Sequence, residues 1–253
     1  MFLIHLPQVW QFKQLYLRDM TAKDELLVQA NNSFAAIALL DQMLQGSAQA
    51  DNLARQLPIA ERDCLLAALY GRYFGTTISS TIKCIHCGES IDIDFSLPDM
   101  VAHQWNATQE SVSWHLGEGI FQDEEGLQFR LPTGEDEIAL QYVPPAQINE
   151  KLQERCLIKT PGDKLETAKL ESALEKVAPL LETDLQATCP ECGKDQSVYF
   201  SMQSYLLNTI LQDRSNLFRE IHLIASAYGW SREEIVNMGR TERKAYVAML
   251  QKN

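Results

Sequence analysis

Apolar side chains recur along this chain of 253 residues with two different periods. A period of three to four residues is typical of amphipathic helices, whereas strict alternation is typical of strands. The helical period predicts helices over residues 22–30, 33–45, 58–75, 146–156, 164–181 and 205–228, followed by two short helices that begin at 231 and 241. Alternation predicts strands within residues 9–19, 77–83, 90–95, 112–116 and 127–131. Roughly the last fifty residues are therefore expected to be entirely helical.

Polar residues and glycines mark several of these helix ends. Thr21 followed by Asp24 has the spacing of a helix N-cap, and Ser231 followed by Glu234 has that of a capping box. Gly75 and Gly229 each follow the last apolar residue of a helix, where glycine readily ends the helical turn. Together with the strand signals, these patterns predict an α+β fold that is mostly helical.

The composition is that of an acidic globular protein, with apolar residues at 45% and charged residues at 22%. The chain has 22 Lys and Arg against 34 Asp and Glu, which gives a formal charge of −12. Binding to nucleic acid depends on cations that neutralise phosphates, and the notable basic cluster is small, at Arg240, Arg243 and Lys244. We therefore expect protein partners, and neither nucleic acid nor an anionic membrane surface. No oligomeric state follows from the sequence.

The expected compartment is a reducing cytoplasm. No apolar run in the sequence reaches the roughly 18 residues that a membrane-spanning helix needs. Residues 1–7 also lack the basic leader and the small-residue cleavage site of a signal peptide. In a reducing compartment, paired cysteines are more often metal ligands than disulfides.

Four of the six cysteines lie in an internal repeat. The segment that begins Cys84-Ile-His-Cys87-Gly88 aligns without gaps on the segment that begins Cys189-Pro-Glu-Cys192-Gly193, and a Phe-Ser pair further along also coincides. The glycine after each second cysteine can take the positive φ that a tight turn around thiolate sulfur requires. The repeat therefore predicts two zinc knuckles that together hold one structural Zn²⁺. The four predicted ligands are Cys84, Cys87, Cys189 and Cys192.

Other interpretations of these cysteines are two independent redox pairs, thiols without a metal, or a site in which His86 replaces one thiolate. Redox Cys-x-x-Cys pairs usually precede a helix, whereas each pair here precedes a strand-like run. Four thiolates leave no open coordination position, so we expect the metal to brace the fold and not to catalyse a reaction. Cys64 and Cys156 are expected to be buried core residues.

Signals for other chemistry are weaker. His222 is expected to be structural or exposed, and Trp230 is expected to pack at a helix corner, with a partner contact as the alternative. The acidic runs at 123–125 and 135–137 lack the ligand spacing of a calcium loop and are expected to be solvated turns. The chain has no Gly-x-Ser-x-Gly elbow, no phosphate-binding glycine loop and no His-Glu-x-x-His helix, so no enzyme is predicted.

The repeat divides the chain into four predicted parts. The two knuckles form a split zinc ribbon over residues 77–98 and 187–202. Residues 99–186 lie between them as an insertion that is β-rich at first and then helical. Residues 1–76 form an N-terminal strand and helical region, and residues 203–253 form the C-terminal helices.

Three stretches carry a resemblance to one family. Residues 65–75 lead into the first knuckle, residues 189–201 contain the second knuckle, and residues 220–235 lead into a basic helix at 240–250. Together they resemble the zinc-ribbon-bearing baseplate proteins of contractile tails, which occur in T4-type bacteriophages and in phage-tail-like extracellular injection systems. The resemblance implies that the four cysteines bind Zn²⁺ and that no catalytic residues are present.

The resemblance also implies a function. The chain would be a non-enzymatic structural or assembly protein of the baseplate hub, with a chaperone-like role and with hub or spike proteins as partners. Its implied location is the cytoplasm where the particle is assembled, or the finished tail. Two functions remain as alternatives: a zinc-ribbon module for nucleic-acid binding or transcription, and a metal- or thiol-dependent enzyme.

Overall fold

Short strands and helices alternate in the computed structural model, which describes residues 1–6, 13–44, 52–108, 115–117, 119–160 and 167–251. The helices are α1 (Ala22–Leu27), α2 (Ser33–Leu44), α3 (Leu53–Gln56), α4 (Ile59–Tyr73), α5 (Leu97–Thr108), α6 (Gly134–Leu140), α7 (Pro145–Cys156), α8 (Thr167–Val177), α9 (Met202–Gln212), α10 (Arg214–Tyr228), α11 (Arg232–Val236) and α12 (Arg240–Leu250). The strands are β1 (Phe2–His5), β2 (Gln14–Leu17), β3 (Thr77–Lys83), β4 (Ser90–Ser96), β5 (His115–Gly117), β6 (Ile120–Gln122), β7 (Gln128–Arg130), β8 (Leu157–Lys159), β9 (Glu182–Thr188) and β10 (Asp195–Ser201). The fold is α+β and mostly helical, as predicted. None of the helices in the described ranges is long and apolar enough to cross a membrane.

The main core is built on the N-terminal strands and on α2, α4 and α9. β1 pairs antiparallel with β2, which places Phe2 opposite Leu17. Leu15 and Leu17 alternate with exposed residues and are fully buried among the leucines of α2 and α4. α1 begins after Thr21, whose backbone N–H donates to the Asp24 carboxylate at 2.8 Å, so the predicted helix start is confirmed.

The segment between the two Cys-x-x-Cys motifs packs on the same core. β5, β6, β7 and β8 form a four-stranded antiparallel sheet in that order. Phe121 and Phe129 stack across this sheet with ring centroids 5.8 Å apart. Both rings are buried together with Leu170 and Val177 of α8, so this segment shares its core with the N-terminal helices.

The C-terminal helices α10, α11 and α12 enclose a second, smaller core. Ile224 and Ile235 are fully buried there and pack with Ala22 of α1. The backbone N–H of Arg240 donates to the carbonyl of Met20 at 2.7 Å, just before α1 begins. The three C-terminal helices therefore contact the rest of the protein mainly through the region around α1.

The helix predicted over residues 205–228 is in fact two helices that meet at Asp213. The Asp213 carboxylate accepts hydrogen bonds from Asn216 at 2.9 Å and from Arg240 at 2.6 Å. A carboxylate is favoured at the positive end of a helix, so this residue is well suited to begin α10. The predicted end of this helix is confirmed, because Gly229 adopts a φ of 70° directly after Tyr228.

The helix predicted over residues 164–181 ends earlier, at Val177. Pro179 lacks a backbone N–H and disfavours helical conformation in the residue before it, so the helix cannot continue. Residues 182–188 instead form β9, which the sequence pattern did not predict. The first residues of this predicted helix, at 164–166, lie outside the described residues, as do 112–114 of the strand predicted at 112–116.

The acidic run at 135–137 forms the first turn of α6 and not a solvated turn. Asp136 is buried and accepts a bidentate pair from Arg130, at 2.7 and 2.8 Å, and a further bond from Arg155 at 2.7 Å. Burial acts to raise the pKa of Asp136, but Arg130 and the backbone N–H of Thr133 outweigh it and hold that pKa well below its usual range. The prediction failed because the sequence pattern cannot show which arginines approach a carboxylate in space.

Candidate metal centre

The two Cys-x-x-Cys motifs form the same turn at the ends of two similar hairpins. In the first cysteine turn (residues 84–88), the N–H of Gly88 donates to the carbonyl of Cys84 at 2.9 Å. In the second cysteine turn (residues 189–193), the N–H of Gly193 donates to the carbonyl of Cys189, also at 2.9 Å. The φ angles of the two glycines are 79° and 69°, the left-handed region that glycine adopts without strain.

The strands that follow and precede these turns form two antiparallel hairpins, β3–β4 and β9–β10, which we call the hairpin pair. Each hairpin presents one apolar face, and the two faces pack on each other. The rings of Phe95 and Phe200 meet edge to face at the far end, with centroids 5.0 Å apart. Packing of the two faces brings together cysteine turns that are far apart in the sequence.

The four cysteine sulfurs of the two turns form one compact group, with all Sγ atoms of Cys84, Cys87, Cys189 and Cys192 within 4.8 Å of one another. The Sγ atoms of Cys84 and Cys192 are 3.7 Å apart, and those of Cys87 and Cys189 are 3.6 Å apart. A tetrahedral Zn²⁺ with four sulfur ligands at about 2.3 Å requires sulfur–sulfur separations of about 3.8 Å. The arrangement therefore fits a tetrahedral metal ion with four thiolate ligands.

The surroundings favour a thiolate at Cys84, whereas they raise the pKa of the Cys87 thiol. Cys84 and Cys189 are buried, whereas Cys87 and Cys192 are exposed. Burial acts to raise the pKa of the Cys84 thiol, but the backbone N–H groups of Cys87 and His86 outweigh it and lower that pKa to about 6. The side chain of His86 is exposed and does not belong to the group of four.

One polar residue connects the second hairpin to the first cysteine turn and was not predicted. Gln196 of β10 is buried, and its Oε1 atom accepts the backbone N–H of Ile85 at 2.9 Å. Its Nε2 atom donates to the carbonyl of Lys83 at 3.3 Å. In the repeat, Gln196 aligns with Ile91, so a buried glutamine replaces a buried isoleucine. That departure from the repeat was the only sequence signal for a residue that joins one hairpin to the backbone of the other.

A family model described as T4 bacteriophage base plate protein matches residues 3–159, more than half of the chain. The chain belongs to the T4 bacteriophage base plate protein family. The match includes the first cysteine turn and ends before the second, so two of the three stretches that carry the sequence resemblance lie outside it. No curated protein and no solved structure matches the chain. Membership of this baseplate family supports a structural role.

The two remaining cysteines of this baseplate-family protein are buried, as predicted. Cys64 lies in the main core, and Cys156 at the end of α7 has no exposed surface. Burial raises the pKa of the Cys156 thiol to about 11, which makes it a poor nucleophile at neutral pH. Both residues therefore behave as core side chains.

Trp230 lies just beyond the C-terminal end of α10 in the baseplate-family chain, and His222 lies within that helix. Trp230 stacks on Tyr228 with ring centroids 5.1 Å apart and meets the ring of Tyr246 edge to face at 5.1 Å. Trp230 thus packs at the corner between α10 and α12, as predicted. His222 is exposed on α10.

The basic cluster of the sequence is not a surface patch in the baseplate-family protein. Arg240 and Arg243 are buried and form ion pairs with the carboxylate of Glu25. Arg240 also pairs with Asp213 at 2.6 Å, and Arg243 with Glu220 at 2.8 Å. Guanidinium groups that are engaged in this way are not available to neutralise phosphates, which leaves Lys244 as the exposed member of the cluster.

Proposed function

We propose that this chain is a non-enzymatic structural or assembly protein of a contractile-tail baseplate hub, braced by one structural Zn²⁺. The observation that carries the proposal is the group of four sulfurs, which joins residues 84–87 to 189–192 in a chain of the baseplate family. A group of four thiolates around one metal leaves no position for a substrate or an activated water. Its chemistry is therefore suited to holding distant segments together.

The proposed ligands of the ion are Cys84, Cys87, Cys189 and Cys192. Structural zinc contributes on the order of 10 kcal/mol of apparent binding free energy at neutral pH. Closing a loop of about 100 residues costs roughly 4 kcal/mol by the (3/2)RT ln n relation. The metal therefore suffices to hold the hairpin pair together while the segment between the two cysteine turns packs on the main core.

The proposed partners are hub or spike proteins of the baseplate. Family membership supports an interaction with baseplate components, and exposed apolar side chains support a protein-facing surface. Ile85 beside the cysteine cluster is 77% exposed, and Phe218 and Met249 on the C-terminal helices are 51% and 58% exposed. We propose a chaperone-like role in which the protein holds a hub subunit during particle assembly in the cytoplasm.

Co-expression tests the proposed role. The full-length chain is produced with each hub and spike protein encoded beside its gene, and the products are analysed by size-exclusion chromatography with light scattering. The proposal predicts a complex of defined stoichiometry with at least one of them. A chain that elutes alone in every pairing contradicts the proposal. The same complex in purified tails would identify a retained component, and its absence there would identify an assembly factor.

A further inference from the structure

The hairpin pair has an apolar groove that its own packing does not fill. A groove of about 160 Å³ lies between the two hairpins and is bordered by α9. Its apolar wall residues come from both hairpins: Ile78, Ile93, Phe95, Leu185, Val198 and Phe200. Ile93, Leu185 and Val198 are only partly buried, and Tyr199 at the same groove is 64% exposed. A side chain from another molecule could contact apolar surface from both hairpins at once.

The two hairpins that form this groove carry a strong negative charge. The two hairpins contain seven carboxylates against two lysines, a formal charge of −5. The carboxylates are those of Glu89, Asp92, Asp94, Glu182, Asp184, Glu191 and Asp195. Within the described ranges, none of the seven has a Lys or Arg nitrogen within 4.0 Å. Among the described residues these carboxylates are therefore not neutralised by close ion pairs, and a Zn²⁺ with four thiolates would add roughly two further negative charges.

We propose that this groove binds a positively charged segment of a partner protein, which inserts an apolar side chain between the two hairpins. The inference rests on the proposed function, since it takes the partner to be a baseplate component. Complementary charge favours a positively charged protein segment over a nucleic acid and over a second copy of this chain. Nucleic acid is repelled by the same field, and a second copy of the chain carries the same formal charge of −12.

The first experiment uses synthetic decapeptides and needs no natural partner. One peptide alternates Lys with Leu, and the control peptide alternates Glu with Leu. Each is titrated into the zinc-loaded, full-length protein while backbone amide shifts are followed by NMR. The Lys peptide is expected to cause saturable shifts at Ile93, Phe95, Leu185 and Val198, and the Glu peptide none. Equal shifts with both peptides, or no shifts at these residues with the Lys peptide, overturn the proposal.

The second experiment removes charge at the hairpins and at a matched control surface. The test variant combines Asp92→Asn, Asp94→Asn and Asp184→Asn, and the control combines Glu124→Gln, Glu135→Gln and Glu150→Gln; all six residues are exposed. The test variant is expected to bind the Lys peptide about tenfold more weakly at low salt, with a smaller difference at high salt, and the control much less so. Equal weakening in both variants overturns the proposal.

The same variants separate this inference from the proposed function when the hub or spike protein is the ligand. If no wild-type complex forms with any of these proteins, the proposed function fails, while the peptide titration still decides whether the groove binds a basic segment. If the wild-type complex forms and the hairpin variant binds as tightly as the control variant, the groove is not the docking surface and the proposed function stands.

Discussion

The carboxylate of Glu25 in α1 accepts a hydrogen bond from the guanidinium of Arg243 in α12 at 2.5 Å, and both side chains are buried. Arg240 pairs with the same carboxylate, and its guanidinium also lies 4.5 Å from the ring centroid of Phe74. The C-terminal helices are therefore joined to the N-terminal region by buried charges as well as by apolar packing.

Removing the shared carboxylate is expected to destabilise the protein strongly. Glu25→Gln removes the carboxylate charge that two buried guanidinium groups share. The loss of one partner of a buried ion pair typically costs about 3–5 kcal/mol. The free energy of unfolding is measured by urea denaturation of the zinc-loaded protein. Glu242→Gln on the exposed face of α12 is the control, with an expected change within about 0.5 kcal/mol. A Glu25→Gln loss no larger than that of the control contradicts the role of this carboxylate.

Gln196→Leu is expected to loosen the first cysteine turn without unfolding the protein. The substitution leaves the N–H of Ile85 and the carbonyl of Lys83 without their side-chain partner, at a cost of about 1–3 kcal/mol. Zinc transfer to a chelator should therefore be about tenfold faster or more. Gln186→Leu, on an exposed position of β9, is the matched control. Equal transfer rates in the two variants would show that Gln196 does not position the metal site.

Two glycine substitutions should have opposite effects on stability. A Cβ atom at Gly193 or at Gly71 would meet no heavy atom within 4 Å, so the two positions differ mainly in backbone conformation. Gly193 has a φ of 69°, and Gly193→Ala is expected to cost about 1–2 kcal/mol. Gly71 lies within α4, and Gly71→Ala is expected to gain about 0.5–1 kcal/mol. Thermal denaturation of both zinc-loaded variants measures these changes. A shift of the same sign in both would contradict a left-handed backbone at Gly193 and a helical backbone at Gly71.

The pH dependence of stability should contain a contribution from Asp63. This carboxyl is buried in α4 and accepts the backbone N–H of Leu181 at 3.1 Å. Burial raises the pKa of Asp63 to about 7, although the charge of Arg62 opposes that shift. Between about pH 4 and pH 7 the folded protein therefore retains a proton that the unfolded chain releases. The contribution of Asp63 to the free energy of unfolding falls as pH rises through this window.

Asp63→Asn removes the titratable carboxyl group, and the amide oxygen of the asparagine can still accept the N–H of Leu181. Relative to the wild type, the variant should gain a few kcal/mol of unfolding free energy between pH 4 and pH 8. Urea denaturation at several pH values gives the difference directly. A difference that stays constant over this range would show that Asp63 does not titrate differently in the two states.

The sequence predicted those features that arise from local pattern or from the internal repeat. Helical spacing predicted α4 and α12 closely, and alternation predicted β3 and β4. The gap-free repeat predicted that the four cysteines form one group, and their sulfurs do lie together. Metal ligation by these cysteines stays a prediction, since the geometry fits an ion without identifying it.

The features that the sequence did not predict depend on contacts between distant residues. Arg240 and Arg243 form a basic cluster in the sequence. In the folded chain both form buried ion pairs with Glu25, which is more than 200 residues away along the chain. The joint between β10 and the first cysteine turn depends on where Gln196 lies in the folded chain. No period or motif encodes such contacts, because they depend on how separate elements pack.

Cys84→Ser tests whether the metal is shared between the two cysteine turns. Three thiolates would remain around an incomplete site, so the variant should lose zinc and the cooperative unfolding of β3, β4, β9 and β10. Hydrogen exchange of their backbone amides is the measurement, with Cys64→Ala in the main core as the control that keeps its zinc. Protection of both hairpins in Cys84→Ser at the wild-type level would contradict a shared site.

X-ray absorption at the zinc edge, combined with metal analysis of the purified full-length protein, tests the central claim most directly. The account predicts one zinc per chain, surrounded by four sulfur atoms at about 2.3 Å with no oxygen or nitrogen ligand. Protein that carries no zinc when purified under reducing conditions, or zinc with an oxygen or nitrogen ligand, would contradict it.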